Sequence, residues 1–205
     1  MSLFKALATV SGMTGLSRIA GFIRDILTAS ILGAGPIADA FFVALKLPNF
    51  FRRVTAEGAF TVAFVPSYTT KDEKEGKEAA ARYAGDVASM MMAILVPFSI
   101  LAIWLMPFVI DVIAPGFVPG EGRYTLAVDF TRITFPYLAL ISMTALVGGM
   151  LNAHHKFAPF AAAPILFNLS LIAALLLSDY FASAGHAMAI GVTVSGVLQF
   201  VFVGI

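Results

Sequence analysis

The stretch Gly15–Gly35, GLSRIAGFIRDILTASILGAG, has the length and apolarity of a membrane-spanning helix, yet it contains Arg18, Arg24 and Asp25. A hydrocarbon core about 30 Å thick takes about 20 predominantly apolar residues to cross. A charged side chain at the centre of such a helix costs about 2.5–3.5 kcal/mol on insertion scales, and is tolerated when it faces a bundle interior or a water-filled cavity. The segment therefore reads as the first membrane helix of a bundle whose inner face is polar. It ends at GAGP, where two glycines and Pro36 break the helix.

Working outward, the rest of the chain keeps the same character. Of its 205 residues 60% are hydrophobic and 12% charged, whereas a soluble domain is about 45–50% apolar and about 25% charged. A bilayer must supply part of the solvent. The expected fold is an all-α integral membrane protein with six apolar spans, at about 3–32, 37–68, 87–113, 126–151, 160–177 and 187–205. Pro48 is expected to disturb the second span and Pro136 to kink the fourth. The charged segment 71–82, KDEKEGKEAAAR, reads as a short amphipathic helix or a solvated loop. The N-terminus lacks signal-peptide architecture, since Lys5 is its only early cation and Arg18 interrupts the apolar run. The chain stops inside apolar sequence at VFVGI, which reads as the N-terminal part of a longer protein.

Loop cations set the orientation. Lys5, Lys71, Lys74, Lys77, Arg82 and Lys156 fall on one side and Arg123 on the other, so the N-terminus is expected in the cytoplasm. Zero cysteines exclude disulfides and thiolate metal sites. His154-His155-Lys156 lacks an evident carboxylate or third ligand in sequence, so no metal site is expected there. There is no HExxH, P-loop, GxSxG or aspartate cluster, and no basic patch with interleaved aromatics. Neither an enzyme, a cofactor protein nor a nucleic-acid binder is expected. Asp129 and Arg132 read as a local ion pair. Gly148, Gly149, Gly191 and Gly196 read as points of close helix approach.

The intramembrane charges carry the functional signal. At about 100° per residue, Arg18 and Asp25 lie on nearly one face of the first helix, with Arg24 rotated from them and Gly21 between. Asp39, Lys46, Arg53 and Glu57 form one stripe on the second span, with Asn49 near its edge. Periodicity points Arg53 inward and leaves Arg52 open, because Pro48 precedes both. The two charged helices follow one another across a tight turn, so their polar faces are expected to meet. Arg18, Arg24, Lys46, Arg52 and Arg53 face Asp25, Asp39 and Glu57, a cationic excess of two. That excess suits an anion, and arginine's planar fork suits a phosphate or pyrophosphate.

The motifs SRIAGFIRD (Ser17–Asp25), GAGPIADAFFVALKLPNFFRR (Gly33–Arg53) and AEGAFTVAFVPSY (Ala56–Tyr68) are highly specific together. With APGF (Ala114–Phe117), TFPY (Thr134–Tyr137) and the run Gly148–Asn168, they resemble the MurJ/MviN family of lipid II flippases, in the superfamily of multidrug, oligosaccharidyl-lipid and polysaccharide exporters. The resemblance implies the six-helix N-terminal lobe of a two-lobed transporter of the bacterial inner membrane, with the C-terminal lobe absent. It implies lipid II as substrate, with membrane lipids and that second lobe as partners, and no cofactor. By the same resemblance Arg18, Arg24, Arg52 and Arg53 contact the pyrophosphate, and Asp25 orients Arg24. Asp39 and Glu57 serve gating or charge balance. Lys46 joins that supporting set on its position in the stripe alone. The competing readings are an exporter of another lipid-linked oligosaccharide, a cation-coupled drug exporter, and a structural membrane subunit. An acidic cavity would suit the drug exporter better than the cationic one counted above.

Overall fold

The computed structural model describes residues 3–55 and 59–205, with side chains except at 3–7, 52, 54, 55 and 59–61. Its helices are α1 (Leu3–Leu27), α2 (Pro36–Thr55), α3 (Ala59–Glu75), α4 (Lys77–Trp104), α5 (Met106–Ile113), α6 (Gly122–Thr134), α7 (Tyr137–Ala153), α8 (Ala158–Leu176) and α9 (Ala184–Gly204). Among the described residues four helical stretches are long and apolar enough to cross a membrane: α4, α6 with α7, α8 and α9. The first two expected spans, which carry the charges, are not in that set.

Several boundaries differ from the sequence reading. Within the span expected over 37–68 the described residues form α2 and α3, and residues 56–58 between them lie outside the described residues. Pro48 sits inside a continuous α2. The charged segment 71–82 is neither a loop nor a helix of its own. It is shared between the end of α3 and the start of α4, with Gly76 at φ 85° making the break. An L side chain rarely adopts that angle, and glycine takes it without a steric penalty. Long charged side chains carry both helices beyond their apolar portions. At Pro136 the ring removes one backbone donor and separates α6 from α7, yet Phe135 and Pro136 keep αR backbone angles, so the helical path runs on from Gly122 to Ala153.

α1 ends in a π-helical turn, Thr28–Leu32, in which Thr28 Oγ1 donates to the Arg24 carbonyl at 2.8 Å. The chain then reverses through Gly33 (φ 65°) and Gly35 (φ 155°). This turn does not bring the charged faces of α1 and α2 together as expected. α1 is seated chiefly on α8, and α2 on α6, with α7 and α9 beside it. The reason is the apolar face of α2, where Ala40, Phe41 and Ala44 are buried in the main core. That core joins α2 to Phe130, Leu138, Met188 and Val192 from α6, α7 and α9. A smaller cluster of Phe64, Tyr68, Ala80, Ala84 and Leu146 ties α3 and α4 to α7.

α4 turns Met90, Ile94, Phe98, Leu101 and Trp104 outward. In water such a face would be a large exposed apolar patch. In a bilayer it meets lipid.

Candidate functional site

A cavity of about 800 Å³ opens between α1, α2, α7, α8 and α9. Its polar wall residues include Arg24 and Asp25 from α1, Asn49 from α2, Asn168 from α8 and Gln199 from α9. Phe42 adds an aromatic face.

Arg24 is the centre of this arrangement. Asp25 Oδ1 accepts from its Nε at 3.1 Å and from its Nη2 at 2.7 Å. Asn168 Oδ1 accepts from its Nη1 at 2.8 Å, across 144 residues of sequence. The Asn168 amide in turn donates to the Ser17 carbonyl at 3.0 Å, one helical turn before Gly21. Three quarters of the Arg24 side chain is covered, whereas Asp25 is 66% exposed. Its partners leave the guanidinium fixed in direction.

The structure assembles part of the expected set. Arg24 and Asp25 line the cavity, while Arg18, Lys46 and Arg53 are exposed and do not line it. The grouping of Arg18 with Asp25 by seven-residue spacing gives way to another stripe. Ser17, Gly21, Arg24 and Thr28, spaced 4, 3 and 4, turn to the cavity together. On α2, Asp39, Lys46 and Arg53 do come out on one exposed face, and Phe42 and Asn49 on that face line the cavity. Asp39 Oδ2 pairs with Arg123 Nη2 at 3.4 Å, so the lone cation of the second loop set is tied to α2. The Arg52 side chain and Glu57 lie outside the described residues.

Two smaller expectations are corrected. Arg132 does not pair with Asp129 among the described residues; its Nε donates to the Ile103 carbonyl at 3.1 Å, joining α6 to α4. His154 does have a nearby carboxylate, Asp72 Oδ2 at 3.9 Å, and a hydrogen bond with Tyr68 OH at 3.2 Å. Helix packing brings together groups more than 80 positions apart, which spacing cannot reveal. Among the described residues no three metal-ligating side chains cluster.

Asn168 and Gln199 are amide-bearing wall residues to which sequence reasoning assigned no role. Each is an amide within an apolar span, FNLSL and VLQFV, and that polarity was the available signal. Gln199 is 2% exposed and its Nε2 donates to the Ser195 carbonyl at 3.1 Å.

A helical membrane bundle with an arginine on the wall of its cavity defines a multi-pass membrane protein built around a largely apolar chamber that carries a few polar groups. The family model described as Lipid II flippase MurJ matches residues 28–204, and the chain belongs to that family, one of transporters rather than enzymes. A probable lipid II flippase MurJ from Rhizobium meliloti is 41% identical over 208 residues, covering 99% of this chain and 39% of that protein. Lipid II flippase MurJ from Burkholderia cenocepacia is 39% identical over 201 residues, covering 98% of this chain and 39% of that protein. A solved structure of lipid II flippase MurJ, in an inward closed conformation, is similar with a TM-score of 0.82 and 30% identity. It covers 94% of this chain, which in turn spans 40% of that one. The chain thus spans about two fifths of the length of the relatives it matches.

Proposed function

We propose that this chain forms the N-terminal lobe of a lipid II flippase of the bacterial inner membrane. Its cavity receives the pyrophosphate of an undecaprenyl-linked peptidoglycan precursor while the isoprenoid stays in lipid. The observation that carries this reading is Arg24, a covered arginine on a chamber wall in a chain of this family. A pyrophosphate offers paired oxygens to a guanidinium fork, and charge-assisted bonds of that kind are stronger than neutral ones.

In this reading Arg18, Arg52 and Arg53 supply further positive charge as the lobes move, and Asp25 keeps Arg24 oriented. Lys46 and Glu57 balance the charge, and the Asp39–Arg123 pair opens and closes with the cavity. The N-terminus lies in the cytoplasm, and two lobes rock about the headgroup to expose it to the opposite leaflet. Once those arginines join the paired Arg24 and Asp25 at the cavity, the membrane potential, worth about 2.3 kcal/mol per charge per 100 mV, helps return the empty site.

Lipid II binding to the full-length protein, followed by native mass spectrometry against phosphatidylglycerol and undecaprenyl phosphate, tests this reading. Selective binding that Arg24→Ala abolishes in a folded protein is the expected result. Unchanged binding in Arg24→Ala would remove the cavity from the pyrophosphate contact. Potential-driven return predicts that collapsing the potential slows transport in sealed vesicles.

A further inference from the structure

We propose that Asn168 is a positioning residue for Arg24, holding the guanidinium from α8 so that one N–H on each terminal nitrogen stays open to a diphosphate. The inference rests on the reading of the cavity as a pyrophosphate site. A guanidinium carries five N–H donors. Asp25 Oδ1 takes the Nε hydrogen and one on Nη2. Asn168 Oδ1 takes one on Nη1. By count, one donor remains on Nη1 and one on Nη2, and neither is engaged among the described residues. Both belong to a side chain that lines the cavity. One donor on each of two nitrogens is what a phosphate with two accessible oxygens requires.

The amide is suited to this task in a way a carboxylate is not. Its nitrogen is committed to the Ser17 carbonyl, with the Ser17 hydroxyl at 3.5 Å, so its oxygen is directed to Arg24. Asn168 is 6% exposed, and so has little freedom to reorient. As a neutral acceptor it orients the cation without cancelling it. An aspartate there, together with Asp25, would set two anions on one cation. Gly21 lies beside this contact, and a β-carbon there would stand at an ordinary van der Waals distance, 3.5 Å, from the Asn168 amide nitrogen.

The test compares undecaprenyl pyrophosphate with undecaprenyl phosphate as probes of the full-length protein, reading the ratio of their affinities. Asn168→Ala is expected to reduce the pyrophosphate preference about tenfold, the scale of one hydrogen bond to a charged group. In an Arg24→Ala background the same change is expected to have no further effect on the ratio. Equal losses in both backgrounds would make Asn168 a structural contact only, and an unchanged ratio in the single variant would overturn the proposal. Asn168→Asp keeps the acceptor oxygen and the side-chain volume, which serves if the alanine variant does not fold. It is expected to weaken pyrophosphate more than monophosphate, and wild-type affinity for both would overturn the inference. If Arg24→Ala itself leaves pyrophosphate binding intact, the functional reading fails. If Arg24→Ala abolishes it while Asn168 proves indifferent, only the positioning role fails.

Discussion

α8 meets its two main neighbours in opposite ways. Against α9 it is closed by small residues: a β-carbon placed on Gly191 would stand 2.8 Å from that of Ala174 and 3.3 Å from Leu171 Cδ2. Against α1 it is joined by an amide, Asn168, which reaches both Ser17 and Arg24, and the space beside it is the cavity. Lipid tails are as apolar as leucine, so helices in a bilayer associate by close packing or by hydrogen bonds rather than by hydrophobic exclusion. Here close packing joins α8 to α9. Hydrogen bonding holds the wall that borders an opening.

The largest effect should follow from breaking the closed seam. Gly191→Val adds a branched side chain where the nearest atoms include the Ser170 backbone carbonyl at 3.4 Å, which cannot swing aside. Overpacking of this kind costs about 1–3 kcal/mol and occasionally more. The expected outcome is loss of monodisperse protein in detergent, or a thermal midpoint lowered by several degrees. A midpoint equal to wild type would mean that α8 and α9 slide freely, and the contrast between the seams would collapse.

Much of this contrast was legible in sequence, and the part that was not has a clear physical cause. Apolar runs and helix breakers gave the all-helical membrane character, and Gly191 and Gly196 stood out as small residues in an apolar span. Gly196 indeed lies against Tyr137, where a β-carbon would stand 2.8 Å from Cδ2. Arg24 and Asp25 were legible as costly charges, and the structure sets both on the cavity. The partner of α1 was not legible. Sequence adjacency pointed to α2, whereas the contact is made by α8 through a residue 144 positions away from Arg24. Periodicity orders residues around one helix but says nothing of which helix they face. The same limit hid the Tyr68–His154–Asp72 group and the Arg132 contact with Ile103.

A smaller effect sharpens the comparison from within the closed seam. Ser170 Oγ donates to the Gly191 carbonyl at 2.9 Å, so this wall also has a hydrogen bond between its helices. Interhelical hydrogen bonds in membranes average about 0.6 kcal/mol. Ser170→Ala should therefore lower the thermal midpoint only slightly, far less than Gly191→Val. Equal losses from the two would show that hydrogen bonding, not close packing, closes the wall.

The smallest effect is expected at the open seam, from Gly21→Ala. The new methyl would meet the Asn168 amide nitrogen at 3.5 Å and its Oδ1 at 3.8 Å, ordinary van der Waals distances. Alanine also favours a helix interior over glycine by about 1 kcal/mol. These terms predict a thermal midpoint equal to or above that of wild type, with pyrophosphate affinity changed by less than about twofold, because no bond of Asn168 or Arg24 is removed. A tenfold loss of affinity with an unchanged midpoint would show that α1 and α8 must approach more closely during transport than they do in this structure. The open seam would then be one position of a closing one, and Gly21 would belong with Gly191 rather than opposite it.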